Sequence, residues 1–439
     1  MTADGRDDTL PYEPIHRLIG PFERFTHVQA AAGVVLLACT AIALAFANSP
    51  SSDAYASFWG TQLRISLGDF EMHHSLKHWI NDALMAVFFF VVGLEVKREV
   101  VLGELRDPRR AALPVVAALG GMLAPAAIYL GLQSGQAGAR GWGVPMATDI
   151  AFVVGCLALL GPRVPTSLRV LLLSLAIADD IGAIVVIAVG YTTSIDLGAL
   201  GLGLLGIAGV RALAVLGVRS LLVYTLAGGG IWLAFHESGI HATIAGVILG
   251  LLTPAHSYLS DSRVAGALER AAALFRGERS ERGPALTDRM RVVRRAAREA
   301  VSPLEYLERV LHPYVGFLIM PLFALANAGV PIEMGSFGHP VALAVAAGLV
   351  IGKPLGILLL CWLAIRAGIA VMPPEVGWGM LAGAGALAGI GFTMALFIAG
   401  LALEGEILDA AKVGILAGSA VSALGGMTLL GLHLPRRSP

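Results

Sequence analysis

The chain of 439 residues is 56% hydrophobic and only 14% charged, and its 31 basic residues balance 31 acidic ones. An ordinary soluble domain carries about a quarter charged residues, so this composition, with a mean hydropathy of +0.76, excludes a soluble globular protein. It implies an all-α polytopic membrane protein with the lipid bilayer as its main partner and neither a nucleic-acid partner nor a cofactor.

A helix needs about 20 mostly apolar residues to cross the hydrocarbon core. Residues 1–27 are polar and read as a cytoplasmic N-terminal segment. The first apolar stretch, 28–47, is too long for a signal-peptide core despite the "AFANSP" at its end, and is expected to be a retained span. Before the second span, "LRISLGDFEM" (63–72) alternates apolar and polar residues around Gly68 and Asp69, the pattern of a short β-hairpin. Further apolar stretches lie at 79–95, 111–132, 143–160, 168–190, 198–216, 220–235 and 240–252, completing spans 1–8 within residues 28–252. Residues 253–303 form a basic cytoplasmic loop in which "VAGALERAAALF" and "RMRVVRRAAREA" suit either a helix lying on an anionic membrane surface or a solvated linker. Spans 9–12 follow at 312–329, 341–365, 376–402 and 410–433 within residues 304–433, and 434–439 is a cytoplasmic tail. The total is about twelve. Cys39, Cys156 and Cys361 are widely separated within apolar segments and read as small buried hydrophobes.

Lys and Arg accumulate in cytoplasmic loops. With both termini on one side, 26 of the 31 basic residues fall on that side, and only Arg64, Lys77 and Arg140 fall opposite. Both termini are therefore expected in the cytoplasm.

Charges inside the apolar stretches are the functional signal. A carboxylate at a helix centre costs about 2.5 to 3.5 kcal/mol on insertion scales, yet "SLAIADDIGAIVVIAVG" (174–190) carries Asp179 and Asp180 side by side. Consecutive helical residues point about 100° apart, so the two carboxylates face different sectors, one toward a partner and the other toward a water-filled cavity. The fourth span adds Thr148 and Asp149 after Pro145, and the tenth adds Lys353 before Pro354. Pro145 and the glycine-rich "AGAGALAGIGFTMALF" are the marks of interrupted helices in spans 4 and 11. If spans 3–5 and 10–12 form matching triplets, the interrupted helices are their middle members, as in inverted-topology repeats with a midplane site. Asp149 is then placed to offset paired helix N-termini and Lys353 to offset paired C-termini. Asp149 also reads as a structural cap, and Lys353 equally as the ion-pair partner of an aspartate or as a proton carrier. Neighbouring buried carboxylates titrate as one unit, and their lone pairs hold either protons or a small hard cation. Competition for one site is the basis of exchange.

An intramembrane aspartyl protease fits poorly, since it needs carboxylates on facing helices sharing a proton. A channel with acidic rings is the nearer rival, but interrupted helices suit a carrier.

Taken in order, "WINDALMAVFFFVVGLEVKREV", "ATDIAF", "LAIADDIGAI", "SGIHATIAGVILG", "LERVLHP", "MPLFALANAGV", "GKPLGI" and "GIGFTMALFIA" resemble the NhaA-type bacterial Na+/H+ antiporters over about residues 27–433. The resemblance implies electrogenic export of Na+ or Li+ against a larger number of H+, regulated by pH, in the bacterial inner membrane. It implies that Asp180 is the principal cation ligand and that Asp179 pairs with Lys353 and shares proton binding. Thr148 and Asp149 would belong to the broken-helix assembly. Glu95, Arg98, Glu99 and Glu308 match the family's cytoplasmic pH-response region, and His241 matches a histidine linked to pH behaviour. Read without the resemblance, those glutamates are solvated loop-edge residues and His241 is a polar helix-start residue. The family also forms homodimers through an outer β-hairpin, which 63–72 matches. Two features depart from the pattern: Arg309 stands where family members often have histidine, and the 253–303 loop is longer than usual.

Overall fold

A computed structural model describes residues 29–67, 70–192, 195–218, 220–256, 301–332 and 334–434, together with residues 266 and 269. Most of the 253–303 loop, and with it the choice between surface helix and linker, lies outside the described residues.

The chain is a bundle of apolar helices, the one common open-chain solution that satisfies every backbone N–H and C=O within its own segment in lipid. Helix α1 (Gln29–Ala47) leads through a short α2 (Ser52–Gly60) to the antiparallel strands β1 (Gln62–Leu67) and β2 (Phe70–Ser75). Leu67 pairs with Phe70 and Gln62 with Ser75, so the expected hairpin is present and longer than expected at both ends. Ser75 then caps α3 (Leu76–Val101), its side chain accepting from the His78 N–H.

Helix α4 (Pro108–Gln133) precedes a 3-10 segment (Ala137–Met146) and α5 (Ile150–Leu160). Then come α6 (Thr166–Gly190), α7 (Leu197–Val215), α8 (Leu221–Glu237) and α9 (Thr243–Leu252). The C-terminal part holds α10 (Pro303–Asn327), α11 (Pro340–Arg366), α12 (Trp378–Ala388), α13 (Phe392–Ala402) and α14 (Gly405–His433).

Each of the twelve apolar stretches contains helix. Among the described residues, seven continuous helices are long and apolar enough to cross a membrane unaided, and ten if each bent pair is one span; length and composition alone therefore do not fix the number at twelve. One boundary moves substantially: α10 begins at Pro303 rather than near 312, because Ser302 accepts from the Glu305 N–H and Pro303 occupies the first turn.

Both middle members of the two triplets are broken. The 3-10 segment meets α5 at 42°, and α12 meets α13 at 45°, with non-helical residues 147–149 at the first break and 389–391 at the second. Helices α4, α6, α11 and α14 pack around these breaks. Helices α1, α3, α9 and α10 form a second group, while α7 and α8 pair at the edge around Val210, Ile231 and Phe235. Leu202 and Leu205 of α7 are 66% and 69% exposed, a surface suited to lipid contact.

Backbones approach most closely where α4 crosses α11. A Cβ on Gly356 would overlap the Gly120 carbonyl, and one on Gly120 would overlap that of Gly356. Small residues permit this kind of contact in membranes. Because α11 also carries Lys353, the crossing helps set how deep that side chain reaches. Gly356→Val is expected to lower stability by about 1 to 3 kcal/mol, the usual penalty for overpacking. Thermal unfolding in detergent measures it.

Candidate functional site

The site is assembled at the two helix breaks. Asp149, extended at the N-terminus of α5, accepts from the Phe152 N–H at 3.2 Å through Oδ1. Its Oδ2 accepts from the Thr393 N–H at 3.1 Å and from the Thr393 hydroxyl at the start of α13. Its own N–H donates to the Ile390 carbonyl at 2.6 Å. One carboxylate thus caps two helix N-termini and offsets the positive ends of both dipoles.

Lys353 is the first residue after a widened i→i+5 turn (Gly348–Gly352) in α11; such turns interrupt a helix locally and recur at functional sites. Its side chain is 1% exposed, and its ammonium lies 2.6 Å from Oδ2 of Asp179, a side chain equally buried. It also donates to Thr148 Oγ1. The Thr148 hydroxyl has one proton and two acceptors within reach, Asp179 Oδ2 at 2.6 Å and the Ala388 carbonyl at the end of α12 at 3.0 Å. Lys353 therefore meets the C-terminal end of α12 through Thr148, and its direct partner is Asp179.

Asp180 differs. It is 5% exposed, yet its carboxylate has no hydrogen bond or ion pair among the described residues, although Asp179, Asp149 and Lys353 lie within electrostatic reach. Asp179 Oδ1 is also buried without a partner. Buried polar atoms are nearly always satisfied, so the open Asp179 Oδ1, beside an Asp180 carboxylate that also lacks a hydrogen bond, requires an explanation. Oxygen donors of this kind suit a small hard cation or protons.

The other predicted residues occupy two separate places. At one end of α3, Arg98 pairs with Glu308 of α10, Glu95 Oε1 lies 3.9 Å from His312 Nε2, and Glu99 Oε1 accepts from the Ser174 hydroxyl at 2.7 Å. Ser174 is on α6, the helix of Asp179 and Asp180. His241 lies apart from them, its Nε2 3.3 Å from the Tyr191 carbonyl.

Comparison with known proteins decides the family. A family model described as Na+/H+ antiporter 1 matches residues 23–430. The chain belongs to that family. The Na+/H+ antiporter NhaA of Rhodopirellula baltica is 55% identical over 427 residues, covering 97% of each chain. The Na+/H+ antiporter NhaA 2 of Acidiphilium cryptum is 54% identical, covering 97% of this chain and 95% of the relative. The Na+/H+ antiporter NhaA of Rhizobium meliloti is 53% identical, covering 98% of both.

Within this Na+/H+ antiporter 1 chain, sequence reading missed four polar residues, two of them at the helix breaks and two in a pair outside the site. Thr393 follows the "GIG" break and lies in the first turn of α13, whereas Thr148 and Asp149 lie within the other break. Asn81 and Asn327 exchange amide hydrogen bonds of 3.2 and 2.7 Å between α3 and α10. Ser419 of α14 accepts from the Phe392 N–H at 3.2 Å and holds the first residue of α13.

Proposed function

We propose that the chain exchanges Na+ or Li+ for a larger number of H+ across the bacterial inner membrane, with both termini cytoplasmic, and that it is a transporter rather than an enzyme. The observation that carries this reading is the pair of buried carboxylates with open oxygens, Asp180 and Asp179 Oδ1, beside a lysine that bonds Asp179 alone of the two. Asp180 is the principal cation ligand and Asp179 the shared proton site. Cation loading requires both carboxylates to be ionised; proton loading neutralises both. The site releases two protons for each monovalent cation it accepts, and the cycle is electrogenic. Asp149 and Thr148 hold the broken helices around the site, and alternating access moves those helices about it.

The cluster of Glu95, Arg98, Glu99 and Glu308 supplies pH regulation, linked to the site through the bond between Glu99 and Ser174 on α6. His241, at the far end of α6 beside Tyr191, belongs to the same response. The β1–β2 hairpin forms the contact of a homodimer.

Everted vesicles test the function. A pH gradient formed by respiration is expected to collapse on addition of Na+ or Li+, and an imposed pH gradient to drive Na+ movement against its own gradient. A channel cannot perform the second. Failure of uphill movement contradicts the proposal.

A further inference from the structure

At the foot of the hairpin three imidazoles converge from separate elements, His74 from β2, His78 from the first turn of α3 and His236 from the end of α8. Each is half-buried, and one nitrogen from each lies within 4.8 Å of the others. We propose that His74, His78 and His236 form a binding site for a divalent transition-metal cation, Zn2+ or a close analogue, distinct from the carboxylate site at the helix breaks.

Three observations converge on this assignment. His78 Nε2 is buried and makes no hydrogen bond, with Asp82 Oδ2 in ion-pair range at 3.5 Å; its hydrogen-bonding capacity is unused. Asp82 Oδ2 lies 3.1 Å from His236 Nδ1. A carboxylate holding one ring nitrogen fixes the tautomer, directs the other nitrogen outward and raises its basicity, as in carboxylate–histidine–zinc arrangements. Trp232 stacks on His236 at 5.7 Å and on Trp79 at 6.3 Å, closing one side with apolar rings.

The donor set selects the ion. Three nitrogens suit Zn2+, Ni2+ or Cu2+, whereas Na+, Mg2+ and Ca2+ prefer oxygen. Zn–N bonds of about 2.0 to 2.1 Å bring ligand nitrogens to roughly 3.3 Å of one another in a tetrahedral site. Binding therefore draws the rings inward, separates His74 from its stack on His78, now 4.2 Å between centroids, and clamps β2 and α3 to α8. Three protein ligands leave a fourth position for water.

The test uses full-length protein with its affinity tag removed, in detergent, titrated with ZnCl2 by calorimetry and with CoCl2 by visible absorption. One saturable Zn2+ per chain is expected, with Co2+ giving the intense d–d bands of a four-coordinate nitrogen site. Asp82→Asn is expected to weaken binding by about 10 to 100-fold. His78→Ala and His236→Ala, checked for wild-type elution on gel filtration, should abolish saturable binding, whereas Asp180→Asn should leave it intact. Absence of saturable binding by the wild-type protein overturns the proposal whatever the variants do. Unchanged Zn2+ stoichiometry in the His78→Ala/His236→Ala double variant also overturns it.

Discussion

Asp180→Asn is expected to reduce Na+-dependent dissipation of the pH gradient in everted vesicles to the level of vesicles lacking the protein, while the variant inserts and purifies as the wild type does. Asn keeps the shape and one acceptor oxygen but loses the charge on which the proposed competition between cations and protons depends. Because the Asp180 carboxylate has no hydrogen bond or ion pair among the described residues, the substitution breaks no internal contact there. A buried charge without a partner is costly, so thermal stability should be unchanged or higher. This combination of lost exchange and retained stability distinguishes a ligand from a structural residue. Exchange at the wild-type rate with Asn at 180 would remove Asp180 from the mechanism.

Lys353→Ala is expected to act in the opposite manner, through stability first. The substitution leaves Asp179 buried and without its cation partner, 2.6 Å away in the wild type. Removing one member of a buried ion pair costs about 3 to 5 kcal/mol, whereas replacing both members is often nearly neutral. The single variant should therefore unfold at clearly lower temperature and exchange more weakly, and Asp179→Asn added to it should restore most of the lost stability. Unfolding curves of the two single variants and the double in detergent form the cycle that measures the coupling. Additive effects would show that the pair contributes nothing as a pair.

Much of the bundle was legible because lipid imposes simple rules. Apolar runs located the helices, and alternation located the hairpin. Charges within those runs stood out because each is expensive there, which is how Asp149, Asp179, Asp180 and Lys353 became visible. Pro145 and the glycines near 389–391 marked both breaks, found in the structure as bends of 42° and 45°. Three other features left weaker traces. Helix α2 lacks an apolar run, and the start of α10 is amphipathic, so hydropathy passes over both. Uncharged hydroxyls and amides do not stand out in an apolar run as ionised groups do, which hid Thr393, Ser419 and the Asn81–Asn327 pair. The angle between consecutive helical residues requires Asp179 and Asp180 to diverge without saying which one meets Lys353; in the structure it is Asp179. His74 and His78 are 158 or more residues before His236 in the chain, and only the meeting of the hairpin foot with α8 joins them.

Proton release on cation binding tests the central claim most directly. In weakly buffered detergent solution, Na+ added to the purified protein is expected to lower the pH by more than one H+ per Na+ bound, and Asp180→Asn is expected to release none. Na+ binding detected by calorimetry without any accompanying proton release, across the pH range in which exchange operates, would contradict the account.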